Sequence, residues 1–239
     1  MHLVAAAVLV VGAFRVRELS MPGWGWAWPP AVGVVVGVLL VAWMINLYNF
    51  MDGMDGFAAG MAVAGFGTFA ILGWRAGEDI FATLNLVVVA AAAGFLLLNL
   101  PPARIFMGDA GSSLLGFLAG AFMLWADHDG IFPLRISVVV FSPFIVDATF
   151  TLFRRLAKGD KVWEAHRSHL YQRLVQAGWG HRRTLYWEYV LMIACGVLGL
   201  LAAEALPTLE WFIFSIAVGL YVVYGFVVRR AEANLPAAS

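Results

Sequence analysis

The chain has 239 residues, of which 62% are hydrophobic and only 13% charged, and its mean hydropathy is +0.85. That composition excludes an ordinary water-soluble domain and implies a polytopic membrane protein. Fifteen basic residues balance fifteen acidic ones, so no positive excess argues for a nucleic-acid partner, and the single cysteine, Cys195, excludes an intramolecular disulfide.

In chain order, Leu3 to Phe14 is apolar but short of the roughly 20 residues a helical span needs. It lacks a basic leader and a small-residue cleavage site, so the expectation is a retained segment. Arg15 to Trp28 is expected to be a loop, with Trp24, Trp26 and Trp28 suited to a membrane interface. Ala31 to Ile45, opened by Pro29 and Pro30, is the next span, followed by Phe57 to Trp74 and Ile80 to Leu100. Pro101 and Pro102 end the last of these because they cannot continue the helical hydrogen-bond ladder. Leu114 to Trp125, Leu134 to Leu152, Leu185 to Leu206 and Trp211 to Val228 complete an expected all-α architecture of eight spans in one domain over residues 1–239. Eight spans put both termini on one side. The basic residues then sort unevenly: Arg104, Arg154, Arg155, Lys158, Lys161, Arg167, Arg173, Arg182, Arg183, Arg229 and Arg230 share one side, and Arg15, Arg17, Arg75 and Arg135 the other. By the positive-inside rule the first side is cytoplasmic, and it includes a basic loop over residues 156–184.

Three polar islands interrupt the apolar pattern, all expected on that cytoplasmic side. The first, Asn46 to Gly56, packs Asn46, Asn49, Asp52 and Asp55 into eleven residues, each acid followed by a glycine that lets the chain turn tightly and a ligand approach. Carboxylates at a membrane boundary are costly to desolvate, which makes a functional site the default reading against that of a plain hydrophilic turn. The second, Asn99 to Ser113, carries Gly108-Asp109-Ala110-Gly111-Ser112 at the start of a helix, where first-turn N–H groups attract phosphate. Asp109, helped by Asp52 or Asp55, suits Mg²⁺, which takes one or two carboxylates and fills its other positions with water and phosphate oxygens; the alternative for Asp109 is a helix cap. The third, His166-Arg167-Ser168-His169 followed by Arg173, offers donors for a diphosphate or a sugar hydroxyl. Zinc ligation by the two histidines and a lipid-headgroup patch are its rival readings. Asp147, inside the sixth span, either faces this site or bonds to a neighbouring helix.

With these residues in view the chain resembles the polyprenyl-phosphate N-acetylhexosamine-1-phosphate transferases, the family of the muramoyl-pentapeptide transferases and of the enzymes that begin O-antigen and teichoic-acid synthesis. Asn49-Phe-Met-Asp52-Gly-Met-Asp55-Gly, Asn99-Leu-Pro-Pro-Ala-Arg-Ile-Phe106-Met-Gly-Asp109-Ala-Gly-Ser and His166-Arg-Ser-His169 occur in the family's order. The resemblance implies transfer of N-acetylhexosamine-1-phosphate from a UDP-sugar to polyprenyl phosphate with release of UMP, at the cytoplasmic face of a bacterial inner membrane. It implies catalytic roles for Asp52, Asp55 and Asp109. Mg²⁺, or Mn²⁺, would sit on Asp109 with Asp52 as a second ligand. Substrate contacts would come from Asn46, Asn49, Asn99, Phe106 (stacking on uracil), His166, Arg167, His169 and Arg173. UDP-N-acetylhexosamine, polyprenyl phosphate and membrane lipid are the implied partners, and a homodimer is left open.

One departure stands beside the match. The family carries an adjacent Asp-Asp pair, with further spans, upstream of the acidic stretch, and no Asp-Asp pair occurs in this sequence. The expectation drawn from it is an N-terminally incomplete family member that holds nucleotide sugar but transfers poorly to lipid. A transporter or flippase is the reading from a different class; it calls for charges near the bilayer midplane.

Overall fold

The computed structural model describes residues 2–12, 14, 16–161 and 167–234. A short helix α1 (His2–Gly12) and a hairpin of β1 (Glu18–Met21) and β2 (Trp24–Ala27) precede α2 (Pro30–Met51), α3 (Phe57–Arg75), α4 (Asp79–Asn99) and α5 (Gly108–His128). Then come α6 (Leu134–Val140), α7 (Ser142–Ala157), the one-turn α8 (Leu170–Leu174) with a π-helical turn over Val175–Trp179, α9 (Gly180–Ala203) and α10 (Pro207–Ala233). The all-α membrane architecture holds, with three departures from the sequence expectation.

The count of eight spans is not reached. Among the described residues six helices are long and apolar enough to cross a membrane, or seven if α6 and α7 count as one bent span. The first segment forms a helix of 11 residues, well short of a bilayer's thickness. The expected loop over Arg15 to Trp28 is an antiparallel hairpin, Glu18 paired with Ala27 and Met21 with Trp24, turning at Pro22 and Gly23, whose φ of 84° a side chain would resist. Trp211 Nε1 donates to Pro22 O at 3.1 Å, and Arg135 bridges Ser20 to Glu210, so the hairpin is tied to α6 and α10. Finally, the expected straight span Leu134 to Leu152 is broken by 82°. Pro143 supplies no N–H at the break. The freed polarity is absorbed locally: Ser142 Oγ donates to Val139 O at 2.6 Å, and the Tyr221 hydroxyl donates to Ser142 Oγ at 2.6 Å. Irregular backbone at membrane depth is tolerated only where it is buried and satisfied in this way.

Close helix approach aligns the polar islands. A Cβ on Gly116 of α5 would stand 2.5 Å from Met44 O of α2, and one on Gly120 would stand 3.0 Å from Val41 Cα. Small residues at that seam let the two backbones nearly touch, the main source of helix association where lipid removes a hydrophobic drive. The C-terminal end of α2 and the N-terminal end of α5 are thereby brought side by side. Beneath them Phe57, Phe66, Phe69, Phe81, Phe141 and Phe144 form a fully buried aromatic core with edge and tilted contacts.

Candidate functional site

Asp52 is the residue at which α2 stops, and Gly53 to Gly56 turn the chain into α3. Three bonds hold this turn. Gly56 N–H donates to Asn99 Oδ1 at 2.9 Å, Gly56 O accepts from the Tyr189 hydroxyl at 2.8 Å, and Asp55 Oδ2 accepts from Ala103 N–H at 3.0 Å. Asn99 is buried, and its Nδ2 donates to Ile105 O at 2.8 Å, so both ends of this amide are spent joining the first island to the second. Asn49 does the same for α5: its Nδ2 donates to Ser113 Oγ at 3.1 Å, and its Oδ1 accepts from Ser112 Oγ. Asn46 donates to Ala42 O of its own helix at 2.7 Å. Asn46, Asn49 and Asn99 are thus bonded within the protein; Asn49 and Asn99 set the frame on which the acids stand, and Asn99 also lines the cleft beside them.

The acids themselves are differently placed. Asp109 is exposed in the first turn of α5, next to Gly108, whose φ is 66°. Asp52 is half-buried, and its carboxyl is pushed up to about 6, first by burial and then by the charge of Asp109. A cleft of about 170 Å³ is lined by Asp52, Gly53, Asp55, Asn99, Phe106 and Met107. Phe106 keeps 77% of its surface exposed at this cleft, so its ring face is open to a planar ligand.

The third island closes on the same turn. Arg167, Tyr171, Gln172 and His181 line a cleft of about 370 Å³ with Gly53 and Met54. His166 lies outside the described residues. His169 is buried, its Nδ1 3.2 Å from Asp147 Oδ1, its ring stacked towards Phe50 and Tyr171 at centroid distances of 6.4 and 6.0 Å. Asp147 accepts from Leu170 N–H at 2.8 Å, Tyr171 N–H at 3.2 Å and Thr151 Oγ1 at 3.1 Å. Of the two expectations for Asp147, bonding to a neighbouring element is the one realised: it caps α8. Arg173 makes a bidentate pair with Glu232 of α10 at 2.7 and 2.6 Å, pointing to the opposite side of α8 from Tyr171. The expected basic loop over residues 156–184 is therefore largely helical outside residues 158–169, because Leu170, Tyr171 and Leu174 bury a helical face.

His181, Arg182 and Arg183 were legible only as loop charge, yet they line a third cleft with Asp55, Pro101, Pro102 and Trp179. Arg182 donates to Pro101 O at 3.3 Å, and Arg183 lies 4.0 Å above the Trp179 ring. The available signal was three consecutive cationic or imidazole side chains opening an apolar helix. Among the described residues no group of three or more His, Cys, Asp or Glu side chains surrounds a common metal position. Asp52 and Asp109 offer the one or two carboxylates that a Mg²⁺ ion takes, and a divalent cation there would offset the charge of Asp109 that, after burial, raises Asp52.

An apolar helical bundle thus gathers an acidic pair, an open aromatic and a basic rim at one end. The chain belongs to glycosyl transferase family 4, whose model matches residues 1–127. It is 32% identical over 81% of its length to the probable undecaprenyl-phosphate N-acetylglucosaminyl 1-phosphate transferase of Bacillus subtilis (strain 168), covering 53% of that protein. It is 27% identical over 96% of its length to the undecaprenyl-phosphate alpha-N-acetylglucosaminyl 1-phosphate transferase of Yersinia pestis, covering 65% of it. It is also 32% identical over 74% of its length to the phospho-N-acetylmuramoyl-pentapeptide-transferase of Geobacillus thermodenitrificans (strain NG80-2), covering 54%. The chain thus spans between 53% and 65% of the length of these relatives.

Proposed function

We propose that the protein transfers N-acetylhexosamine-1-phosphate from a UDP-sugar to a polyprenyl phosphate and releases UMP, at the cytoplasmic face of a bacterial inner membrane. The observation that carries this reading is the convergence of Asp52, Phe106 and the Arg167 to His181 rim on one turn of chain, with Asp109 close enough for its charge to act on Asp52. The names of the relatives supply the lipid-phosphate acceptor and the sugar 1-phosphate that is moved, and the UDP donor follows from the resemblance of the motifs. The excess of basic residues at the motif end supports its cytoplasmic orientation.

In this reaction an oxygen of the lipid phosphate attacks the β-phosphorus of the UDP-sugar, the bond from that phosphorus to the bridging oxygen breaks, and UMP leaves with the electron pair. Both reactants are anions, so the task is charge neutralisation and alignment. Mg²⁺, held by Asp109 and Asp52, would supply positive charge to the diphosphate. Phe106 offers a stacking face to the uracil ring. Arg167, His181 and Arg182 present donors to phosphate and sugar oxygens. Asn49, Asn99 and Tyr189 fix the acidic turn, and Asp147 fixes the helix that carries Tyr171 and Gln172. The acidic groups that line the clefts gather at one end of the bundle, which favours headgroup chemistry over the transporter alternative.

The test is UMP release from UDP-N-acetylglucosamine in membranes containing the protein. It should require polyprenyl phosphate and Mg²⁺ and fall by a factor of about a hundred or more in Asp109→Asn. Turnover that ignores the polyprenyl phosphate, or that yields UDP, would overturn the reading.

A further inference from the structure

Away from the acidic turn, the bundle leaves a groove of about 530 Å³ between α7 and α10. Helix α10 packs on α9 and α8, so its remaining side faces α7 across this gap. Val146 and Phe150 of α7 and Val218, Val222 and Phe226 of α10 form apolar walls. A void of that size at membrane depth fills with hydrocarbon, because its lining otherwise forfeits dispersion contacts. The body of the groove therefore takes a lipid chain.

Its basic end selects the headgroup. Arg154, Arg173 and Arg229 stand there together. Among the described residues only Arg173 of the three is in an ion pair, with Glu232, whose charge is shared at longer range with Arg154 and Arg229, and Asp147 and Asp160 act on Arg154 only at longer range; the Nε of Arg154 is buried with no hydrogen-bond partner among the described residues. Basic pockets between membrane helices at the cytoplasmic side are suited to anionic phospholipid headgroups. We propose that this groove holds one anionic bilayer phospholipid, its phosphodiester on Arg154 and Arg229 and an acyl chain along Val146, Val218 and Val222. The acceptor lipid is not the occupant, because α8 stands between the groove and the cleft beside Gly53 and Met54: Leu170 and Arg173 face the groove, and Tyr171 and Gln172 face that cleft, whose Gly53 and Met54 also line the acidic cleft. A phosphate in the groove is thus turned away from Asp52 and Asp109. The bound lipid would brace the very helix whose opposite face lines the cleft. Its occupancy requires only that the chain lie in a bilayer and is independent of the transfer reaction.

The experiment reconstitutes the intact protein in nanodiscs of phosphatidylcholine containing phosphatidylglycerol, then counts lipids retained per chain by native mass spectrometry in mild detergent. One phosphatidylglycerol should remain bound. Retention should fall about tenfold or more in Arg154→Gln/Arg229→Gln, at roughly 1 kcal/mol per lost cation, and should be unchanged in Arg17→Gln/Arg75→Gln at the other end of the bundle. Gly225→Leu offers a second, charge-neutral variant: a Cβ there meets no atom within 4 Å, so the side chain enters the groove without a clash, and retention should again fall. Equal retention in all variants, or retention of phosphatidylcholine in place of phosphatidylglycerol, would overturn the proposal. So would displacement of phosphatidylglycerol by equimolar polyprenyl phosphate bound through the same two arginines, which would assign the groove to the acceptor.

Discussion

Asp147→Ala should detach α8 from the bundle while leaving the helices themselves intact. The carboxylate accepts from two backbone N–H groups, of Leu170 and Tyr171, and from Thr151, and it orients the His169 ring. All of these groups are buried or nearly so, and alanine would leave them without an acceptor. Losing a helix cap costs about 0.5–2 kcal/mol, and each buried donor left unsatisfied costs about 1–3 kcal/mol. These terms overlap, because one side chain serves them all, so the expected local cost is about 3–5 kcal/mol. A cost of that size raises the open population of α8 by a factor of about a hundred to a few thousand, since each 1.4 kcal/mol is about tenfold. Hydrogen exchange followed by mass spectrometry reads this directly: amides over residues 169–174 should lose protection, and those of α3 and α5 should keep theirs. The KM for nucleotide sugar should rise, because Tyr171 and Gln172 line the cleft beside Gly53. Asp147→Asn should fall between the two, since its amide can accept one bond but opposes the second donor. Unchanged protection over 169–174 in the alanine variant would refute the assignment of Asp147 as the anchor of α8.

Asp109→Asn should lower UMP formation by a factor of about a hundred or more, with the fold retained, since the change removes one of two carboxylates offered to Mg²⁺; wild-type turnover would count against the acidic pair. Phe106→Ala should raise the KM for UDP-sugar about tenfold, the value of roughly 1–3 kcal/mol for a base on an aromatic face, while a ring that contributes only at the membrane interface would leave KM unmoved. In the metal-free protein Asp52 should titrate near 6, held up by burial and by Asp109. Because the folded chain holds this proton more tightly than the unfolded chain, whose value is 3.8, the group's contribution to stability is present below that pH and is lost as pH rises through about 6; NMR of labelled aspartate carboxyls should show the midpoint shift downward in Asp109→Asn. A cysteine introduced at Lys158 should label only from the cytoplasm and one at Gly130 only from outside, in a Cys195→Ser background; labelling of both from one side would overturn the orientation.

Much of the site was legible because its chemistry is local in sequence. Asp52, Asp55 and Asp109 each sit beside glycines at a break in an apolar run, and hydropathy alone exposes such breaks. What was not legible is which polar side chain spends its hydrogen bonds on the protein. Asn49 and Asn99 read as ligand groups in one dimension, and in the fold each also bonds a backbone or hydroxyl partner about 40 to 65 positions away, while Asn99 lines the acidic cleft as well. Arg173 reads as a phosphate donor until α10 brings Glu232 against it. His181 and Arg182 went unassigned for the converse reason: only the fold carries the start of α9 to Asp55 and Pro101. The hairpin was missed because its Trp-Gly-Trp alternation satisfies the interfacial-loop pattern equally well, and the bend at Phe141 because proline is tolerated inside membrane helices and does not by itself specify 82°.

The central claim is that a sugar phosphate, and not a sugar alone, moves to lipid. Membranes containing the protein should be given UDP-N-acetylglucosamine radiolabelled at the β-phosphorus, with polyprenyl phosphate and Mg²⁺, and partitioned into organic and aqueous phases. The label should enter the organic phase in a one-to-one ratio with UMP released, and Asp109→Asn should lower both by a factor of about a hundred or more. Label that stays in the aqueous phase as UDP while the sugar reaches the lipid would contradict the claim.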